Sequence, residues 1–477
     1  MLDINRIDIK VFCSALILLI ASSYMFSELA VKHAVVLIFL PPFLMLLVLN
    51  HKKHYRILSL IVVFGFLVSL LNRYEPEIPF GLVIDFLILY LLITLILDKN
   101  ISIEKDMLNN PLIIIFFLWF MLSVVNYFNP LSTNKIAWFY ANRSFSIYSL
   151  LIILLVLQFF RQAKHLESFL MLWGILAIFG TLWGIKQLFL GVSATEQEWL
   201  NAGAKSTHVL WGRLRVFSFF TDASQFAANQ AHSALVFGIL SISQNKIKKR
   251  LLYFIFSAFA TYGLIISGSR GPLAIVFIGL LVYVIMINRV SINFWTLIIF
   301  TGSISFLKFT FIGQSVYQIN RLRTALNFNS NPSLNIRLDR IDQLTNFMTN
   351  KPLGYGIGSS GSWAQKFYAN GPEILKYTDG LYISIWMQTG IVGLIIKIVL
   401  TLILILYLGF LITKISNLNQ KNYAIAFYCA YCGFIVSDFT NNLSMQLPSG
   451  VLIPITLALI FLISKGKITE NKNKLEY

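Results

Sequence analysis

The chain has 477 residues, of which 57% are hydrophobic and 12% are charged, and its mean hydropathy is +0.74. Soluble domains carry roughly 25% charged residues, so a water-soluble protein of this composition could not cover its own surface. The formal net charge of +18 is carried by short segments between apolar blocks. Because these residues form no continuous basic face, the charge does not indicate a nucleic-acid partner.

The apolar residues come in long blocks. A helix rises about 1.5 Å per residue, so about 20 apolar residues cross a hydrocarbon core about 30 Å thick. The sequence therefore predicts an all-α fold, a polytopic transmembrane helix bundle of about 12–14 helices with one large periplasmic loop that contains short helices. The predicted helices are 11–26, 34–50, 57–71, 80–97, 111–128, 144–160, 168–190, 224–243, 251–269, 271–288, 293–312, 388–413, 422–440 and 448–464.

The distribution of lysine and arginine predicts the orientation, since these residues favour cytoplasmic loops. One alternating assignment satisfies every short loop, and it places both termini in the cytoplasm. We divide the chain into N-terminal transmembrane helices 1–190, a core 191–400, and C-terminal helices with a cytoplasmic tail 401–477. The core includes the periplasmic loop 313–387. It also includes 191–223, and both segments are basic although they lie outside.

A first group of candidate residues precedes the predicted helix 224–243. Arg213, Arg215, Asp222 and Gln225 lie close together in an aromatic-rich segment. One arginine at a membrane boundary can simply extend toward the head groups. Two arginines with an acid and an amide fit that explanation less well, so we expect this segment to bind an anionic ligand.

A second group is the tight turn Ser267-Gly-Ser-Arg-Gly-Pro272, which joins two apolar blocks almost without a loop. It places Arg270 at or just below the outer membrane boundary, where a charge is costly unless it is paired or hydrated. The hydroxyl groups of Ser267 and Ser269 can donate to an anion, and the arginine fork suits phosphate. The alternative is an arginine that only reaches the head groups.

The periplasmic loop supplies the remaining candidates. An amphipathic helix is predicted at 333–349, where Arg337 and Arg340 are either solvated or contact a lipid phosphate. The glycine-rich segment 352–358 is expected to be a mobile loop. Asp379 is either a helix cap or a catalytic or substrate-binding residue, and Tyr382 follows it. Three further residues near the outer helix ends are held in reserve: Asp438, His208 and His232.

No cluster of metal-ligating residues stands out, and no metal or cofactor is predicted. Cys429 and Cys432 lie inside an apolar block with the spacing of a redox motif. Neither thiol would reach water easily, so both are interpreted as packing residues.

These segments together resemble the O-antigen ligase and O-antigen or exopolysaccharide polymerase superfamily, over roughly residues 205–400. The resemblance rests on Arg215 before an aromatic helix entrance, on Ser269-Arg270-Gly271, on the glycine-rich segment 352–358, and on Asp379 before Gly390-Ile-Val-Gly393. Ligases of this superfamily usually have histidine at the position of Asp379, whereas aspartate is familiar among polymerases. The resemblance therefore favours a polymerase.

The resemblance implies a metal-independent glycosyltransferase of surface polysaccharide biosynthesis, in a bacterial inner membrane, whose donor glycan is carried on undecaprenyl diphosphate. Arg215 and Arg270 would stabilise the charge of the departing diphosphate, and Asp379 would be the base. Arg213, Asp222, Ser267, Ser269, Arg337, Arg340 and Tyr382 would bind substrate. Expected partners are the lipid-linked oligosaccharide, membrane lipid, and a chain-length regulator or flippase, with no nucleic acid.

Alternative functions remain open from the sequence. An O-antigen ligase or a protein O-oligosaccharyltransferase would share the donor site and differ in the acceptor. A lipid-linked oligosaccharide flippase has a similar number of helices. Transporters often show internal repeats and charges at the membrane midplane. Here no convincing repeat is found and the notable charges cluster at one face, so an enzyme is favoured.

Overall fold

The computed structural model describes residues 53–97, 109–210, 212–287, 332–368, 370–376 and 380–468, with short pieces between 298 and 323. In these residues the backbone is largely helical, and the only strands form one small hairpin, β1 Val209–Leu210 with β2 Arg213–Leu214. The predicted helical bundle is therefore confirmed. The predicted helices 11–26 and 34–50 lie outside the described residues, as does most of 293–312.

The helices are numbered in chain order over the described residues, and the bounds follow the hydrogen-bonded backbone. A π-helical turn, Arg143–Ile147, lies inside α4, and a second one, Leu200–Ala204, joins α6 to α7. The helices are α1 His54–Tyr74, α2 Gly81–Leu97, α3 Pro111–Tyr127, α4 Lys135–Phe159, α5 Ala163–Phe189, α6 Ala194–Trp199, α7 Lys205–His208, α8 Ala223–Ser243, α9 Ile247–Ser267, α10 Leu273–Met286, α11 Pro332–Met348, α12 Gly361–Phe367, α13 Glu373–Lys376, α14 Leu381–Thr413, α15 Leu418–Ser437 and α16 Ser449–Ser464.

Among the described residues, five helices are long and apolar enough to cross a membrane by length and composition: α1, α4, α5, α9 and α14. Four shorter helices, α2, α3, α10 and α16, are also apolar. Helix α8 is different because it carries amides, serines and a histidine, yet nearly all of it is buried. Its polar side chains therefore face protein and not lipid. Polar residues in membrane bundles are tolerated in such interior positions.

Two predicted helices begin much later in the chain than the observed ones. The helix predicted at 144–160 begins at Lys135, because Asn134 caps it by accepting from the backbone N–H of Ala137. The helix predicted at 388–413 begins at Leu381 and is interrupted at Gly390, whose φ is 69° and ψ is −174°. The predicted amphipathic helix 333–349 is confirmed as α11.

Small residues let α5, α8 and α9 approach one another closely. A Cβ atom on Gly180 of α5 would collide with the side chain of Gln230 on α8, and one on Gly263 of α9 would collide with Thr181 and press against Gln230. Gln230 occupies the space that both glycines leave and donates from Nε2 to the carbonyl of Ala177 at 3.1 Å. Packing through small residues and interhelical amide bonds is typical of membrane bundles.

The chain divides into two compact units, Met1–Leu60 and Ile61–Tyr477. The candidate residues that the structure describes all belong to the second unit. The domain boundaries predicted near residues 190 and 400 stay predictions. Cys429 and Cys432 are buried free thiols within α15, as the packing interpretation requires.

Candidate active site at one end of the bundle

The first two candidate groups meet at one end of the bundle. Arg215 donates from Nη2 to the hydroxyl oxygen of Ser269 at 3.0 Å and to that of Ser224 at 3.2 Å. Its backbone N–H also donates to the carbonyl of His208 at 2.8 Å, which continues the pairing of the β1–β2 hairpin. The guanidinium of one segment is thus held against the turn that contains Arg270.

Asp222 supports this arrangement as the N-cap of α8. Its carboxylate accepts from the backbone N–H groups of Ser224 at 2.6 Å and Gln225 at 3.0 Å. Such capping satisfies donors that the first helical turn leaves without partners. Because Ser224 also bonds Arg215, the cap and the guanidinium are two ends of one short network. A substrate contact by Asp222 stays a prediction.

The turn at 267–271 is built by its small residues. Helix α9 ends at Gly268, which adopts a left-handed conformation with φ of 60°. The buried Ser267 hydroxyl donates to the carbonyl of Leu264 at 2.7 Å and accepts from the backbone N–H of Ser269 at 3.1 Å. Ser267 therefore braces the turn, while Ser269 presents its oxygen to Arg215. The neighbouring Arg270 side chain is partly exposed.

The end of α15 packs directly on this turn. The Ser437 hydroxyl donates to the carbonyl of Gly271 at 3.1 Å. A Cβ atom at Gly271 would overlap the side chain of Thr440, so only glycine fits at position 271. The backbone on the C-terminal side of Arg270 is therefore clamped by α15, and the position of the arginine depends on this contact.

The start of α14 packs against the same C-terminal end of α15, and this region is called the corner below. The backbone N–H of Leu381 donates to the carbonyl of Asp438 at 2.8 Å, and Gly380 lies against the backbone of Phe439. Tyr382 donates to the carbonyl of Ile435 at 3.0 Å, and its ring lies 4.4 Å from that of Phe439. Asp379 lies outside the described residues, although the next residue in the chain belongs to this corner.

Asp438, held in reserve from the sequence, is at the centre of the corner. It is 3% exposed, and its carboxylate accepts from the backbone N–H groups of Leu443 and Ser444, each at 3.0 Å. Burial raises the pKa of Asp438 to about 6, although the bonds from Ser444 and Leu443 and the charge of Lys397 oppose the rise. The observed role of this carboxylate is to fold the loop between α15 and α16.

A second buried network holds the segment that follows Arg215. The amide of Gln187 accepts from the backbone N–H of Ser218 at 2.7 Å and donates to its carbonyl at 3.0 Å. Arg73 donates to the same carbonyl at 2.9 Å, and its guanidinium carbon lies 4.7 Å from the ring centre of Trp199 and 4.6 Å from that of Phe217. Ser218 has a φ of 54° and is the one described non-glycine residue with positive φ. This network was not predicted from the sequence, because its members look like ordinary polar ends of membrane spans.

The remaining candidates lie elsewhere in the described structure. Arg213 is exposed on β2, and Arg340 is exposed on α11. Arg337 belongs to α11, and its side chain lies outside the described part. Of the histidines held in reserve, His208 packs against the rings of Trp199 and Phe217, while His232 is enclosed within the core beside Trp173 and Phe434.

The expectation of a mobile glycine-rich loop is wrong, because 352–358 is packed into the bundle. Asn129 donates to the carbonyls of Leu353 and Gly354, both at 2.9 Å, and Asn126 accepts from the backbone N–H of Ile357 at 2.8 Å. The break at Gly390 leaves the carbonyl of Gln388 for the backbone N–H of Gly356 at 2.9 Å. The glycines are required here by close backbone contact and positive φ.

The described part of the chain contains no group of three or more histidine, cysteine, aspartate or glutamate residues that could hold a metal ion. The chemistry available at this end of the bundle comes from guanidinium groups, hydroxyls and buried carboxylates. Guanidinium groups supported by neighbouring hydroxyls suit an oxyanion such as phosphate.

The helices and this site define a multi-pass membrane protein with a polar, arginine-bearing centre at one end of its bundle. The O-Antigen ligase family matches residues 254–398, so this part of the chain is similar to that family. This is consistent with the O-antigen ligase and polymerase superfamily. The match includes Arg270 and Asp379, whereas Arg215 precedes it. No curated protein matches the chain significantly.

Proposed function

We propose that this protein is a polymerase that transfers a glycan from undecaprenyl diphosphate to a sugar hydroxyl of a growing surface polysaccharide, on the periplasmic face of the inner membrane. The similarity to the O-antigen ligase family supports a glycosyltransferase-like activity of the ligase and polymerase type. The observation that carries the proposal is the 3.0 Å hydrogen bond from Arg215 to Ser269, beside Arg270. It supports a single anion site made from two distant segments.

In the proposed reaction, the acceptor hydroxyl oxygen attacks the anomeric carbon while the bond from that carbon to the diphosphate oxygen breaks. The hydroxyl proton passes to a base, for which Asp379 is the candidate, and the electron pair of the broken bond stays on the diphosphate. Arg215 and Arg270 stabilise that developing charge, an effect that is largest where water is excluded. One direct displacement inverts the anomeric configuration, so a product with retained configuration would refute this mechanism.

The site requires arginine and not merely positive charge. A guanidinium donates in two directions within one plane and stays protonated, which suits a diphosphate that changes charge during the reaction. Arg215 is already oriented by Ser224 and Ser269. A preorganised donor needs little rearrangement when the leaving group develops its charge.

The activity can be tested with purified protein and a lipid-linked repeat unit as the sole substrate. A polymerase forms longer lipid-linked chains, visible as a ladder on a gel, because one molecule is donor and the next is acceptor. We expect Arg270→Ala and Arg215→Ala to lose at least about 100-fold in rate, the order found when one oxyanion-stabilising donor is removed.

The matched control is Arg250→Ala, an exposed arginine near the opposite end of α9, about 25 Å from the turn by helix rise. It removes the same charge and should keep the wild-type rate. Equal product from Arg270→Ala and the wild type would remove the site assignment. A protein that makes product only when lipid A–core or a protein acceptor is added would instead be a ligase or a protein O-oligosaccharyltransferase.

A further inference from the structure

A single charge lies within the long apolar helix α14. Of its 33 residues, all of which the structure describes, Lys397 is the only charged one. It lies seven residues beyond the interruption at Gly390, which is about 10 Å along the axis. A lysine inside such a helix is costly to the fold unless something compensates the charge.

The compensation that the protein provides is an aromatic face. Lys397 Nζ lies 4.9 Å from the ring centre of Trp119 on α3. The described ion pairs join Arg143 to Asp85 and three lysines, Lys186, Lys249 and Lys376, to glutamates, and none of them includes Lys397. Asp438 acts on the lysine only as a charge beyond ion-pair distance. Within the described residues, the ammonium therefore has an aromatic neighbour and no carboxylate in contact.

Lys397 lines a small recess that has an open mouth. The lining of the recess has both polar and apolar residues. Thr401 and Tyr431 are its other residues with polar side-chain groups near Lys397 in the lining, and Phe116 and Leu404 are among its apolar ones. A cation beside an apolar surface suits a ligand that has an anionic head and a hydrocarbon tail.

We propose that this recess binds the phosphate group of an anionic phospholipid from the surrounding bilayer, with Lys397 as its counter-ion and Trp119 as the wall beside it. The lysine lies on the part of α14 beyond Gly390, whereas the residues of α14 that meet the candidate site lie before that break. The proposal does not depend on the transferase reaction. It gives the lysine the anion that the described protein residues do not supply.

The test uses the full-length protein in detergent, with bound lipids counted by native mass spectrometry during titration with phosphatidylglycerol or phosphatidylcholine. We expect wild type to retain one phosphatidylglycerol and no phosphatidylcholine at the same concentration. Lys397→Gln should weaken phosphatidylglycerol retention at least tenfold, and Lys397→Arg should keep it. Equal retention by Lys397→Gln, or equal retention of both lipids by wild type, would overturn the proposal.

The matched control is Lys135→Gln. Lys135 is also partly buried, and its Nζ lies 4.9 Å from the ring centre of Tyr127, but it donates to the carbonyl of that residue. This variant should retain phosphatidylglycerol like wild type. If Lys397→Gln is not recovered folded, Thr401→Phe tests the proposal instead. The larger side chain should fill the recess and lower phosphatidylglycerol retention, although the lysine remains.

A third titration, with undecaprenyl phosphate, separates the two sources of a lipid phosphate. Tighter retention of undecaprenyl phosphate than of phosphatidylglycerol would assign the recess to the donor lipid and overturn its assignment to a bilayer phospholipid. Loss of polymer formation in the transferase assay leaves this titration unaffected, so the two proposals can fail separately.

Discussion

Arg215 and Ser269 are 54 residues apart in the chain, yet the guanidinium of the first donates to the hydroxyl of the second at 3.0 Å. The bond joins the entrance of α8 to the turn between α9 and α10. It is the most direct link between the two arginine-bearing segments, and its contribution to the rate can be measured.

Ser269→Ala should lower the transferase rate roughly tenfold, because a hydrogen bond to a charged group contributes roughly 1.5–3 kcal/mol and 1.4 kcal/mol is a factor of ten. Ser241→Ala is the control, since that hydroxyl donates only to the carbonyl of Gly238 on its own helix. A Ser269→Ala enzyme as fast as wild type would show that this bond does not orient Arg215.

The packing of the glycine-rich segment can be tested by comparing the stability cost of two glycine substitutions. Gly354 and Gly191 both have positive φ, 72° and 83°. A Cβ at Gly354 would meet the backbone of Gln388 and Gly390, whereas a Cβ at Gly191 meets nothing within 4 Å. Gly191→Ala should cost about 1–2 kcal/mol of stability from backbone strain alone. Gly354→Ala should cost at least about 3 kcal/mol, because overpacking is added.

The melting temperature of the detergent-purified protein measures this difference. Gly191→Ala supplies the strain without the collision, so it serves as the reference for Gly354→Ala. Equal melting temperatures for the two variants would mean that the segment is not packed against α14 as described.

The buried carboxylate of Glu196 should make the stability of the fold depend on pH in the acidic range. Its side chain is enclosed and accepts from Trp183, Gln187, Lys186 and the backbone N–H of Ser193. Burial alone would raise the pKa of Glu196, but these hydrogen bonds and the lysine charge together lower it. A lowered carboxyl pKa stabilises the fold above the unfolded value of about 4.3, and that contribution is lost as the pH falls toward the folded value.

The wild-type melting temperature should therefore fall between about pH 5 and pH 3 more steeply than that of Glu196→Gln. At pH 7 the variant should be the less stable of the two. Glu198→Gln, on the same short helix, controls for loss of an acidic side chain. Parallel curves for wild type and Glu196→Gln would contradict the lowered pKa.

The raised pKa of Asp438 predicts the opposite dependence of stability on pH. Because burial raises its pKa to about 6, the fold favours the protonated carboxyl. This contribution is present below the unfolded pKa of about 3.9 and is lost as the pH rises through 6. The loss is at most about 3 kcal/mol, since one pKa unit corresponds to about 1.4 kcal/mol.

Asp438→Asn retains an oxygen for the backbone N–H groups of Leu443 and Ser444 and carries no charge. We expect its melting temperature to be nearly constant between pH 5 and 8, and to exceed that of wild type at pH 8. A wild-type protein whose stability rises over this interval, with the variant following it, would show that the carboxylate is well solvated.

The sequence predicted the helical bundle because long apolar blocks are a local signal. It also brought Arg215 together with the Ser269–Arg270 turn, since alternation through the membrane requires both to lie at the same end. It missed the first nine residues of α4 and the first seven of α14, counted from predicted starts at 144 and 388. Those turns contain polar residues, and Gly390 resembles a helix boundary.

The supporting networks could not be found from local pattern. Asn126 and Asn129 bond backbone groups 224 to 262 residues further along the chain. Gln187 and Arg73 converge on one carbonyl, that of Ser218, from different helices. In each case the partner is decided by how the helices pack, and no spacing within the sequence encodes it. The glycine-rich segment was assigned to a mobile loop for the same reason.

The junction between these asparagines and the glycine-rich segment has a consequence for biosynthesis. A ribosome adds roughly 5–20 residues per second, so residues more than 220 positions apart are made roughly 10 to 50 s apart. During that interval Asn126 and Asn129 have been translated, while the carbonyls they bond in the finished protein do not yet exist. The nascent N-terminal helices must therefore keep two amides hydrated, or held by the insertion machinery, until the last third of the polypeptide emerges.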